Sequence, residues 1–277
     1  MQTPAARAGV AEARVLRAWF YFMLQDMFGG VPIITEPGLA SQPRAPRDSV
    51  ARFIETELLA ARADLPASRD AGRWGSVTRY SVDAILSYLY LNWPVYTGRV
   101  TQAGLTPGQP RFADVIARTD SILNSGQFQL AGDFNTWRAQ FAPNNQGSRE
   151  SIFVVRNVPQ DGLGLDFVNR IAHYNHYTGG GWNGFSMASD VYRQLDGADR
   201  RRTIVLAGPQ TRLDNGGPVL LRDNVTPLNL DTAITSINAA AENQGARVYK
   251  YTLDPSRFNQ NNGNDYHIFR LSGVLLD

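Results

Sequence analysis

Apolar residues in the first half of the chain recur every three or four positions, the spacing that gathers them on one side of a helix. Thr3 as a cap and Pro4 in the first turn open such a run, Val10, Leu16, Phe20 and Leu24 continue it, and Gly29-Gly30 stops it. Pro32 then forces an extended exit. A loop holding Pro37, Pro43 and Pro46 leads to Asp48 or Ser49 as the next cap, followed by Val50, Phe53, Ile54, Leu58 and Leu65 before Pro66. A third helix opens near Thr78, carries Val82, Ile85, Leu86, Leu89 and Tyr90 on its inner side, and ends at residues 92–94. A fourth starts near Arg111 and turns Phe112, Val115, Ile116, Ile122 and Leu123 inward until Gly126; residues 133–141 read as a short fifth. Starts near residues 48, 78 and 111 give a period of thirty-odd residues, the scale of stacked helical pairs.

That periodicity is lost after Ser148. Residues 151–155 form a short apolar, strand-like run, and Gly162, Gly164, Gly179, Gly180, Gly181 and Gly184 then punctuate the sequence with shaped loops. Residues 144–147 suit a junction and residues 259–264 a polar loop. Residues 269–276 begin a helix that reaches Asp277 without a cap, as a fragment would. The expected architecture is mainly α, with a helical portion over residues 1–147 and a long, irregular, loop-rich portion containing short β segments over residues 148–277.

Composition removes several classes. The chain has 277 residues, 43% hydrophobic and 19% charged, which is ample for a buried core in one or two domains. It has no cysteine, so disulfide scaffolds, cysteine zinc sites, thiol catalysis and iron-sulfur clusters are excluded. Its 27 basic and 25 acidic residues are scattered, and Lys250 is the only lysine. The one tight basic run, Arg200 to Arg202, follows Asp196 and Asp199 and reads as an ion-pair cluster, so no nucleic-acid face is expected. The most apolar stretch, residues 15–28, contains Arg17, Gln25 and Asp26, which excludes a membrane span there, and the start does not read as a signal peptide.

Several blocks, in order, resemble one family. Glu12 to Phe22 with Phe28-Gly29-Gly30-Val31-Pro32, then Gly72-Arg73, Val77-Thr78-Arg79 and Leu89-Tyr90-Leu91-Asn92, are similar to signature stretches of the SusD/RagB family. So are Asp120 to Gly126, Glu150 to Phe153, Gly181-Trp182-Asn183-Gly184, Asp199-Arg200-Arg201 and Tyr266 to Leu271. Asp83 departs from that pattern at a position usually apolar, and Tyr80 and Tyr88 are bulkier than the residues they replace. The resemblance implies a tetratricopeptide-like helical scaffold with a loop-rich ligand-binding portion. It also implies an outer-membrane, cell-surface lipoprotein that captures glycans, or in some members peptides, without cleaving them. The partner implied is a SusC-like TonB-dependent transporter. The family's lipoprotein signal, lipidated cysteine and C-terminal end have no counterpart in this sequence, so the chain reads as a fragment whose membrane link would be a lipid anchor it lacks.

Sugar capture needs flat apolar faces beside amides and hydroxyls on loops held by a rigid frame. Residues 173–183 fit best, and Tyr174, His176, Tyr177, Trp182 and Asn183 are the expected contact set, with Arg79 and Trp74 as weaker candidates. The bland alternative is that Trp182 and a tyrosine plug the loop against the core. Trp19, Trp93 and Trp137 lie on helical stretches and are expected to pack inside. His173 and His176, three apart, resemble two metal ligands, but the following glycines and the lack of a nearby carboxylate argue against a metal site. No G-x-S-x-G elbow occurs, and Glu55 and Glu57 point to different sides of a helix, so no catalytic residues and no cofactor are expected. A second class stays open at this point: a helical interaction scaffold without a small-ligand site of its own.

Overall fold

The first helix, α1 (Pro4–Phe28), starts where Thr3 accepts the Ala6 amide on its hydroxyl at 3.2 Å, and stops at Gly29, whose φ of 72° favours glycine. This is a computed structural model, and it describes residues 3–38 and 41–276. The elements that follow are α2 (Arg47–Arg62), α3 (Arg79–Leu91), α4 (Trp93–Tyr96), β1 (Arg99–Thr101), β2 (Gly104–Thr106), α5 (Phe112–Leu123), α6 (Phe134–Ala139) and β3 (Ser151–Val155). Then come α7 (Phe167–Ile171), α8 (Ser189–Gln194), β4 (Val205–Leu206), β5 (Gly208–Pro209), β6 (Asn229–Leu230), β7 (Arg247–Val248), β8 (Tyr266–Arg270) and α9 (Leu271–Val274). The described residues are therefore mainly α, with short two-stranded pairings β1-β2, β3-β8, β4-β7 and β5-β6.

Two compact units emerge. The first comprises the residues up to Leu130, Arg149–Val154 and those from His267 onward; the second comprises Ala131–Ser148 and Val155–Tyr266. In the first, α1 packs on α2 and α3 on α5 around Val15, Ala18, Val50, Ile54, Leu58, Ile85, Leu86 and Leu89. Trp19 anchors the returning segments, edge-on to Phe153 at 6.2 Å and to Phe269 at 5.3 Å. Tyr88 meets Phe269 edge-on at 4.8 Å, so the bulky residue fills a real slot.

Several expectations need correction. Pro46, not Asp48 or Ser49, precedes α2, and Asp48 instead sits in the first turn, where its charge suits the helix dipole. The inward face of α1 is Ala11, Val15, Ala18, Phe22 and Gln25, while Val10, Leu16, Phe20 and Leu24 are exposed on the other side. Large apolar residues lie on both sides of α1, so they do not mark which face turns in, and the small Ala11 and Ala18 stand where α1 packs on α2. In α5 only Val115 and Ile122 are buried; Phe112, Ile116 and Leu123 face outward. The terminal helix is split, because residues 266–270 alternate in burial and pair as β8 with β3 before the four-residue α9. Its expected end at Asp277 lies outside the described residues. The exposed hairpin β1-β2 has Arg99 opposite Thr106 and gave no apolar signal.

Asp83, the departure from the family pattern, lies at the centre of the first unit and is fully buried. Arg62 of α2 donates Nε to Oδ1 at 2.8 Å and Nη2 to Oδ2 at 2.7 Å. Arg118 and Ser121 of α5 reach the same carboxylate at 3.2 and 2.9 Å. One charge thus joins three helices with its lone pairs satisfied.

The second unit has little ladder. Its core holds Phe141, Leu165, Val168, Ala172, Tyr177, Tyr251 and Leu253, with a smaller cluster of Val219, Leu228 and Leu230. Buried amides do the work that strands would do elsewhere. Asn262 donates to the Leu165 carbonyl at 3.0 Å and accepts the Asp254 amide at 2.9 Å. Asn264 donates to the Phe141 and Thr252 carbonyls, each at 2.9 Å. The expected polar loop at residues 259–264 is therefore an interior clamp at both positions.

Removing the Asp83 carboxylate leaves two part-buried arginines without their shared acceptor. Asp83→Ala is expected to destabilise the first unit by about 3 kcal/mol in urea unfolding, as for other buried pairs cut on one side. A loss below about 1 kcal/mol would show that the network contributes nothing.

Candidate functional site

The glycine-rich stretch 169–184 closes on itself. Trp182 donates its backbone N–H to the Asn169 carbonyl at 2.7 Å, Asn183 to Ala172 at 2.8 Å and Gly184 to Arg170 at 2.8 Å. Gly181 is required at this crossing, because a Cβ there would collide with the Ala172 carbonyl. Asn183 takes a left-handed φ of 52°, which asparagine tolerates.

Of the expected contact residues, Trp182 and Tyr174 reach the surface, at 43% and 37% exposure. A guanidinium lies over each ring, Arg170 on Trp182 at 5.0 Å and Arg222 on Tyr174 at 4.9 Å. Asp166 holds Arg170 through two bonds of 2.9 and 2.6 Å. The indole N–H donates to Gln260 Oε1 at 2.9 Å, so the ring is fixed at one edge and over one face. Phe185 and Phe258 add exposed aromatic surface to the same two loops.

His176 and Tyr177 are interior. The Tyr177 hydroxyl donates to Asn169 Oδ1, Arg257 lies over its ring at 4.9 Å, and burial pushes the phenol up to about 12. His176 accepts the His173 backbone N–H on Nδ1 at 2.9 Å, which assigns the ring proton to Nε2. Asn183 is half-buried, donating to the Glu242 carbonyl at 2.9 Å and accepting from the buried Arg247 at 2.7 Å. These three residues frame the loop, and Tyr174 and Trp182 are what it presents.

His173 is fully buried with Nε2 at 3.2 Å from Glu242 Oε2, so a carboxylate does stand beside the histidine pair, 69 residues away in sequence. Among the described residues no group of three or more His, Cys, Asp or Glu side chains is placed to hold a metal. Each carboxylate around the loop is engaged: Asp166 with Arg170, Glu242 with His173 and the Arg222 amide, Asp214 with Arg212 and the Thr178 amide. Arg212 holds Asp214 far below the usual carboxylate range.

Arg170, Arg222, Gln260, Glu242 and Asn169 were not singled out from sequence. Asp166 and Arg170 do show the i, i+4 spacing of a helical ion pair. Gln260 and Arg222 come from distant loops and carry no local signal. Elsewhere, Arg79 donates to the Leu65 carbonyl at 3.1 Å and Trp74 lies under Arg69 at 4.8 Å. Trp93 is buried, and Trp19 and Trp137 pack partly buried against their cores. In the arginine run only Arg201 pairs with Asp199; Arg200 lies over Phe134 at 4.5 Å, and Arg202 donates to the Leu195 carbonyl at 3.0 Å.

No protein-family model and no curated protein matches the chain. Its fold is nevertheless shared with solved structures. A SusD-like carbohydrate-binding protein from Bacteroides fragilis superposes with a TM-score of 0.74 at 18% identity, covering 100% of this chain and 55% of that one. Surface glycan-binding protein A from Bacteroides uniformis gives 0.71 at 19% identity, covering 100% and 54%. A laminarin-binding SusD-like protein gives 0.72 at 18% identity, covering 100% and 60%. The chain has the SusD-like fold and spans a little over half the length of these structures.

Burial, with His173 and Arg247 nearby, lowers the His176 imidazole to about 4, and burial lowers His173 as well. The His176 ring stays neutral in the folded loop down to about 4, whereas in the unfolded chain it takes up a proton near 6.5. The stability of the second unit is therefore full above that value and falls as pH drops toward 4, by about 3 kcal/mol for His176 alone. Urea unfolding at about pH 7 and about pH 4.5 checks this, with His176→Asn expected to lose less over the same interval. Equal losses in the two proteins would remove His176 as the cause.

Proposed function

We propose that this protein belongs to the SusD/RagB family and captures glycans, without cleaving them, on the face presented by Trp182 and Tyr174. The observation that carries this reading is the fixed, exposed indole with an amide, Gln260, at its edge and a guanidinium over one side. A pyranose ring offers an apolar face to stack on the open side and hydroxyls for Gln260 and Arg170 to bind. His176, Tyr177 and Asn183 belong to this site as its frame. The fold of proteins named for glycan and laminarin binding supports the ligand class, and the engaged carboxylates around the loop support capture over hydrolysis, which needs two free ones facing one bond. The place proposed for it is the outer-membrane cell surface, held by a lipid anchor, delivering its ligand to a SusC-like TonB-dependent transporter. Peptides are the competing ligand class on the same face.

A helical interaction scaffold without a ligand site is the second reading. It is favoured by the exposed apolar residues of α1, Phe20 at 60% and Met27 at 62% among them. It predicts partner binding that ignores changes in residues 174–183.

Titration of intrinsic fluorescence with laminarin-derived oligosaccharides and peptides, with product analysis on the same samples, separates the readings. Saturable binding without cleavage is expected, weakened at least about tenfold by Trp182→Ala and by Gly181→Ala, the second by displacing the ring. Affinity unchanged in Trp182→Ala for every sugar bound would show that the face is not the site.

A further inference from the structure

The second unit also carries a cleft that none of the residues of the Trp182 face lines. It is an open cleft of about 540 Å³, within the range of small-molecule sites. One wall is β6 and its continuation. Burial alternates along it: Leu230 turns into the small core with Val219 and Leu228, while Asn229 and Asp231 on either side turn out. The segment through Asn243 runs alongside, with the Asp231 amide donating to the Asn243 carbonyl at 2.9 Å and the Asn243 side-chain amide to the Asn229 carbonyl at 3.2 Å. Opposite stands Tyr192 of α8, braced by Arg202, whose guanidinium lies over the ring at 5.0 Å. Gly208 forms the remaining edge at a φ of 75°, and a Cβ there would meet nothing within 4 Å, so the cleft is open at that edge.

The chemistry of the lining is specific in kind. Asp231 is its only ionisable group besides the Tyr192 phenol, and no arginine, lysine or histidine lines it, which disfavours phosphate, sulfate or carboxylate ligands. Asp231 Oδ1 accepts the Ala233 amide at 2.9 Å, leaving Oδ2 as an acceptor toward the cleft. The Asn229 amide, the Asn243 Oδ1 and the Thr232 hydroxyl add donors and acceptors, and Tyr192 adds an aromatic ring. Neighbouring hydroxyls on a sugar ring need this set: a carboxylate taking two O–H donors, amides that give and take, and one flat carbon surface. An apolar ligand would leave those groups unpaired.

We infer that this cleft is a second binding site for a neutral, hydroxyl-rich ligand, a sugar of two or three rings. It does not depend on the Trp182 face, since no residue is shared between the two. A chain with both sites holds one oligosaccharide at two places or two short ones at once.

Titration calorimetry of the full chain with short laminarin-derived and xyloglucan-derived oligosaccharides reads the two sites separately. Two binding events per chain are expected. Asp231→Ala should weaken one of them about tenfold or more and leave the Trp182-dependent event unchanged. Asn229→Ala, at an exposed position, should do the same and guards against misfolding in the first variant. A single event lost in Trp182→Ala and indifferent to both cleft variants would overturn the second site while leaving the first. A single event lost in the cleft variants and indifferent to Trp182→Ala would keep the cleft and sink the Trp182 reading. No event from a chain with native circular dichroism would overturn both.

Discussion

The proposed ligand face depends on one buried amide. Asn169 is fully buried on α7; its carbonyl takes the Trp182 amide, its Oδ1 takes the Tyr177 hydroxyl and its Nδ2 holds the Gln260 carbonyl. Three partners meet at three atoms of this one residue, and two of them, Trp182 and Gln260, then bond to each other through their side chains. An amide suits this place because it donates and accepts at once in a dry interior, where any unpaired group is costly. Aspartate would lose the donor, and leucine would strand two partners, the Tyr177 hydroxyl and the Gln260 carbonyl.

The same constraint explains why a unit with so few strands holds a fixed shape. Each buried carbonyl left without a ladder neighbour must find a donor, and Asn145, Asn262 and Asn264 supply them from side chains. In the helical unit the helices satisfy most of their own backbone, and one of the buried polar residues there, Asp83, holds helices together instead of loops.

Legibility in the sequence follows that contrast. Long helices were readable because 3.6-residue spacing, Thr3, Thr78 and Gly29 act within a few residues of one another. Which side of α1 faces inward was not readable, since Phe20 and Phe22 are equally apolar and only the approach of α2 decides between them. In the candidate site, aromatic residues among glycines marked a loop on which Trp182 and Tyr174 do reach the surface. Their partners did not show, because Gln260 lies 78 residues from Trp182 and Glu242 lies 69 from His173. Composition identifies residues fit for a surface; it does not say that His176 and Tyr177 turn inward to meet His173 and Asn169.

The helical unit is discontinuous in sequence, and that has a kinetic side. Phe269, which closes on Trp19 at 5.3 Å, is separated from it by 250 residues, nearly the whole chain. During synthesis α1 to α5 emerge early, yet their core lacks the wall that β8 and α9 supply until those residues are made. The intervening loop-rich unit has no such debt, since its members are all present before Phe269 appears. The order of birth and the order of completion are thus reversed, and the exposed core of the early helices is where a chaperone would find this chain waiting.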